Sequence, residues 1–240
     1  MLKRIFILLI TIVWLSTISY PLQYMVFMEE RDNFGSTILT YETRDLHSFN
    51  LSHEGYLSHT IITNKKNKTV ILINHLEEGY IITTKRKIEA YMNSQLVPYM
   101  QDTQSRSIKY KETTEVVKVN GKEIQAQKIT IQGAGTDQLS VCYIKLSSIL
   151  SESEIKLLML INPKRNSNLS IREELFFGHL MRHIKIPPNT IIAKISYTNL
   201  YAKKLIRVKI LPYSEEYYKY FTIPKGYTRK QNIDQRYLPI

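Results

Sequence analysis

Residues 116–124 read VVKVNGKEI, and this nonapeptide decides the class of fold. Apolar and charged residues alternate on both sides of Asn120-Gly121, the dipeptide best suited to the two positive φ angles of a two-residue type I′ turn. The pattern predicts a tight antiparallel hairpin whose register is already set. Val119 should lie opposite Lys122, Lys118 opposite Glu123 as a cross-strand ion pair, and Val117 opposite Ile124 on the core side. After Ala126 the apolar phase slips, with Ile129 and Ile131 taking over from Ile124, which predicts a bulge or twist near Gln127.

Upstream of the hairpin, YMVFMEERD from Tyr24, STILTYETRDL from Ser36, SHTIIT from Ser58, KTVILINH from Lys68 and GYIITT from Gly79 are short runs rich in Val, Ile, Thr and Tyr. Polar turns such as NKKNK and HLEEG separate them, so they read as an antiparallel meander. Helical spacing appears at three places. Ile88, Met92 and Leu96 recur after Thr84, in a segment that Pro98 should end or kink. Ser151 and Glu154 form a capping box, with Leu150 and Ile155 placed as a hydrophobic staple, and Pro163 closes that helix. Ser170 and Glu173 repeat the capping pattern before Pro187-Pro188. NTIIAKISYTN and KKLIRVKILPY then resume the strands. Strands, a helix, a hairpin, two helices and more strands make an α+β fold dominated by one long antiparallel sheet.

The chain starts MLKRIFILLITIVWLSTISY. Lys3 and Arg4, an eleven-residue run from Ile5 to Leu15 broken only by Thr11, and then Ser16, Thr17 and Ser19 have the layout of a secretory signal peptide. Pro21 and Gln23 leave the run short of the roughly 20 apolar residues of a membrane-spanning helix. Residues 1–19 are therefore read as a leader, with an uncleaved tether to the inner membrane as the alternative, residues 20–228 as one domain, and residues 229–240 as a C-terminal tail. The expected location is the periplasm or the cell exterior. With a single cysteine, Cys142, no internal disulfide can form, and a packed core must supply the stability.

The formal charge is +12, and the loss of Lys3 and Arg4 with the leader lowers it by two to +10. A basic domain seeks anionic partners. Export turns that expectation away from nucleic acid and toward an anionic membrane surface, polysaccharide or acidic proteins. The residues themselves announce no reaction. His179 and His183 stand four apart on an expected helix, but HLMRH lacks the glutamate of H-E-x-x-H and no third ligand accompanies it. His47, His53 and His59 recur every six residues, which matches no ligand geometry. No nucleophile elbow, Gly-rich phosphate loop or Cys-x-x-Cys pair is present, and GAGT at 133–136 joins two strands rather than opening a helix. The reading is a protein without catalytic residues, metal or cofactor.

Four stretches taken together, FMEERD at 27–32, KKNKTVILINHLEEGYI at 65–81, VNGKEIQAQKITI at 119–131 and the closing FTIPKGYT at 221–228, resemble the LolA/LolB/LppX-like superfamily of periplasmic lipoprotein carriers. The likeness is greatest to a branch that finishes on an F-x-I-P-x-G-[YF] strand, as Phe221, Ile223, Pro224, Gly226 and Tyr227 do. It spans nearly all of the chain after the leader. The resemblance implies an unclosed, strongly curved antiparallel half-barrel with helices over its concave face, holding a lipid or lipoprotein acyl chains. The chain departs from the branch at Gln125, Ala126 and Gln127, where Gly and Cys are usual, and no functional residue of the carriers maps onto it by position.

A curved sheet either fills its interior with its own side chains or leaves room for a ligand. Met92, Leu96, Leu158, Met159, Phe176, Phe177 and Leu180 are the bulky apolar residues of the expected helices. Facing Ile71, Ile73 and Ile191 of the sheet, they are the candidate lining of such a space. The leading expectation is a carrier or binding protein for a hydrophobic ligand; the alternative is a non-catalytic envelope or secreted interaction protein using its basic surface.

Overall fold

The hairpin forms as its alternation requires. In a computed structural model describing residues 24–100, 109–132, 138–162, 173, 181, 184–198 and 200–238, β7 (Lys109–Val119) and β8 (Lys122–Gln132) pair with Val119 opposite Lys122, Lys118 opposite Glu123 and Val117 opposite Ile124. Asn120 and Gly121 carry φ angles of 52° and 77°. The leader, the second capping pattern apart from Glu173, and His179 and His183 lie outside the described residues.

Before the hairpin come β1 (Tyr24–Asp32), β2 (Ser36–Glu42), β3 (Leu46–His53), β4 (Tyr56–Asn64), β5 (Thr69–Asn74), β6 (Gly79–Thr84) and α1 (Lys85–Met100). After it come β9 (Gln138–Lys145), α2 (Glu152–Ile161), β10 (Thr190–Tyr197), β11 (Tyr201–Pro212) and β12 (Thr228–Lys230). All twelve strands belong to one sheet in the order β12-β6-β5-β4-β3-β2-β1-β11-β10-β9-β8-β7, whose two ends do not join. Every neighbouring pair is antiparallel except β12, which runs parallel to β6. The architecture is thus a mostly β, unclosed α+β sheet.

Strand alternation sorts the β1–β6 half into two faces. On the front, Ile38, Phe49, Ile61, Leu72 and Ile81 pack beneath Ile88 and Met92 of α1 and beneath Tyr237 and Leu238. On the back, Met25, Phe27 and Tyr41 meet the aromatic side chains of a 3-10 segment, Glu215–Phe221, with Tyr41 stacked on Tyr220 at 4.1 Å between ring centroids. Chain ends are placed by the same economy. Residues 229–240, read from sequence as a tail, supply two residues of β12 and the fully buried Tyr237. The segment 222–227, expected to be a strand, crosses to β12 without pairing.

The start of α2 has a visible reason. At α2, Ser151 Oγ accepts from the Glu154 N–H while Glu154 accepts from the Ser151 N–H at 2.7 Å, closing the expected box. Leu150 and Ile155 enter the same apolar cluster. The other helix was expected to end or kink at Pro98; it does not end there, because α1 continues to Met100. Of the bulge or twist expected near Gln127, the bulge is absent, since β7 and β8 stay in register from Lys109 to Gln132. What changes at Ala126 is the face being buried. Ile124 and Ala126 join a cluster with Val117, Val119 and Ile144, whereas Ile129 and Ile131 point the other way into a cluster with Val141, Ile184 and Ile195. One regular strand therefore serves two cores.

A cleft between β7 and β11

Strand pairing fails locally in the middle of the sheet. β10 and β11 are paired only from Lys194–Tyr197 against Tyr201–Lys204. Beyond that, β10 bulges at Ala193, between its pairings at Ile192 and Lys194 with β9, and β11 bulges at Ile206, between Leu205 and Arg207 opposite β1. Each bulge bends its strand, and the two separate. Exposed ladder groups of β11 would be left without partners there.

Asn120 takes them. The Asn120 N–H donates to the Ile206 carbonyl at 2.9 Å, the Val208 N–H donates to Asn120 Oδ1 at 2.9 Å, and Asn120 Nδ2 donates to the Val208 carbonyl at 3.0 Å. The tip of the β7-β8 hairpin thus fills part of the gap between β10 and β11, and the strands β11 to β7 curl until the last meets the first.

Between them lies an open cleft of about 880 Å³, toward the upper end of the ~300–1,000 Å³ usual for small-molecule sites. Val116, Val117, Ala193, Leu205 and Ile206 give it apolar walls, and Lys118, Lys194, Lys204, Arg207, Lys209 and Glu115 its charges. Five cations face one anion. The anion is already occupied: Glu115 accepts from Lys128 Nζ at 2.8 Å and from Lys194 Nζ. Those two hydrogen bonds, Lys128 first, hold the Glu115 carboxyl down at about 2. The buried Cys142 thiol lies 3.7 Å away; burial, then the Glu115 charge, pushes it up to about 11, so it is not an activated thiolate. Arg207 stands 3.7 Å from Glu29, which Arg31 also approaches at 3.5 Å. Lys118, Lys204 and Lys209 have no ion pair among the described residues.

The residues expected from sequence to line a ligand space are distributed otherwise. Leu158, Met159 and Ile191 do meet, in a packed cluster with Val26, Met28 and Val208. Met92 belongs to the α1 cluster on the front of β1–β6, while strand alternation turns Ile71 and Ile73 to the back face. Phe176, Phe177, Leu180 and the side chain of Leu96 lie outside the described residues. None of the six that are described lines the cleft. Among the described residues no group of His, Cys, Asp and Glu is arranged to hold a metal, and no helix is long and apolar enough to cross a membrane.

Sequence reasoning also passed over a buried charge cluster. Lys203, only 3% exposed, donates to Glu30 at 3.0 Å and to Glu173 at 2.7 Å, and the Tyr201 hydroxyl donates to Glu173 at 3.2 Å. Burial lowers the Lys203 pKa, but the charges of Glu173 and Glu30 outweigh it and the net shift is upward. Lys203 stands in KKLIRVKI at 203–210, where Lys204, Arg207 and Lys209 are equally basic, so nothing in the local sequence sets it apart.

No family model matches the chain, and no curated protein does. Among solved structures it is similar to PNGF-II in two crystal forms, each at 11% identity and a TM-score of 0.41, over 87% and 90% of this chain. The chain spans about a third of the length of that protein, 31% and 32%.

Proposed function

We propose that the protein is a binding or carrier protein of the cell envelope that takes the apolar part of a lipid-like ligand in the cleft between β7 and β11. The observation that carries this reading is the cleft itself. Most apolar side chains of the sheet pack under α1, α2 and the 3-10 segments, yet Val116 stays 66% exposed on one wall, with the half-buried Ile206 on the other. Burying such walls against an acyl chain is favourable at about 25 cal/mol per Å². In this reading α1 and α2 cover the greasy front of a curved sheet and the ligand enters from the opposite side. The leader-like start and the motifs shared with lipoprotein carriers support an exported, ligand-carrying role, and no chemical step is required of the residues in the cleft.

Native mass spectrometry of the protein purified from the envelope, and titration with a dodecyl-chain amphiphile, test it. A bound amphiphile is expected, weakened in the Val116→Asp variant, which places a charge on the exposed apolar wall of the cleft. A ligand-free protein that also ignores every dodecyl probe overturns the reading.

A further inference from the structure

The charges of the cleft say which end of an amphiphile it recognises. Lys204, Arg207 and Lys209 stand opposite Arg31, Glu29 and Phe27 of β1, so all three leave β11 on the back of the sheet. Regular alternation would not allow this, because residues 204 and 207 differ in parity. The bulge at Ile206 brings them onto one side. Across the cleft, Lys118 adds a fourth cation from β7. Glu115 is taken up by Lys128 and Lys194, and Glu29 is shared between Arg31 and Arg207. Three lysines thus line one concavity without an ion pair of their own among the described residues. Concentrating like charge in a cleft is unfavourable for the empty protein and raises the local concentration of anions.

Resting on the cleft reading above, we propose that the ligand is an anionic amphiphile: its tail lies along Val116, Val117 and Ile206, and its phosphate or carboxylate head group is held by Lys204, Lys209 and Lys118, with Arg207 at the margin. The lysines act as point charges, each donating a charge-assisted hydrogen bond to the head-group oxygens.

Titration calorimetry on the purified full-length protein, with probes kept below their micelle concentrations, tests this with three compounds. Dodecyl phosphate carries both parts, dodecyl maltoside the tail with a neutral head, and inorganic phosphate the head alone. Dodecyl phosphate should bind at least tenfold more tightly than either of the others. The Lys204→Gln/Lys209→Gln variant should lose about tenfold or more of its affinity for dodecyl phosphate and keep that for dodecyl maltoside, and raising the salt should mimic the variant. Lys66→Gln, on a distant exposed turn, should change neither. Equal affinity for the two dodecyl compounds overturns the head-group assignment and leaves the cleft reading standing. Equal affinity for inorganic phosphate overturns it too, since the tail would then contribute nothing. If no dodecyl compound binds, both fail.

Discussion

Replacing Lys203 by methionine should be among the most damaging single changes in the sheet. The side chain is 3% exposed, and it holds Glu30 and Glu173, themselves 3% and 1% exposed, at 3.0 and 2.7 Å. Methionine fills most of the volume and removes the cation that Glu30 and Glu173 share. Breaking a buried pair in this way costs about 3–5 kcal/mol, which for a chain of this size lowers Tm by about 6–20 °C, at ~2–4 °C per kcal/mol. The pH dependence identifies the cause. In the wild type the upward shift of Lys203 is stabilising below the unfolded lysine pKa and is lost as pH rises through the folded value. The variant lacks that contribution, so its deficit is full at pH 7 and shrinks as pH rises above the unfolded lysine value of about 10.4. Thermal unfolding followed by circular dichroism at pH 7 and pH 11 measures this. A Tm within about 2 °C of wild type at pH 7, or a deficit as large at pH 11 as at pH 7, would refute the argument.

Other outcomes follow from single contacts. Asn120→Gly keeps the positive φ of the turn but loses the side-chain bonds to Val208; it should cost about 2 kcal/mol and speed amide exchange at Val208, which a purely turn-forming asparagine would not do. Glu115, held down at about 2 by Lys128 and Lys194, stabilises the fold above its unfolded pKa near 4.5 and ceases to do so as pH falls from there toward 2. Being partly solvated it is worth only about 1 kcal/mol, and Glu115→Gln should flatten that part of the acid limb in a denaturation series. At Gly79 a Cβ would collide with the Tyr237 hydroxyl; Gly79→Ala should lose about 1–3 kcal/mol in urea titration, and adding Tyr237→Phe should recover part of it.

The legible parts of this fold were those fixed within a few residues. VNGK set its own register because turn and alternation agreed, and Ser151 with Glu154 announced a helix whose cap is closed by those two side chains alone. β3 escaped notice because its back-facing residues are Ser48 and Asn50, polar yet 0% and 2% exposed. Their cost is removed by partners that only pairing supplies: Asn50 donates to Ser48 and to the Leu39 carbonyl and accepts from Thr60. The β3-β4 turn is equally tight, with Glu54 and Gly55 at φ 51° and 85°, but glutamate is a poor advertisement for a left-handed backbone. The slip after Ala126 was visible and its cause was not, since a change of buried face and a bulge leave the same trace in an apolar pattern.

The candidate site was hidden for a different reason: it is made by irregularity. Its walls come from residues 115–121 and 193–209, far apart in sequence, and their meeting depends on bulges at Ala193 and Ile206 that no propensity marks. Read as a regular strand, KKLIRVKI scatters its cations over both faces and looks like a solvated surface. Once Ile206 is taken out of register, Lys204, Arg207 and Lys209 fall together. The same splaying that aligns them frees the β11 backbone for Asn120, and so draws in the hairpin that supplies Lys118 and the opposite wall. Asn120 is thus selected twice, once by the φ of the turn and once by the Val208 ladder groups, and only the first demand is written in the local sequence.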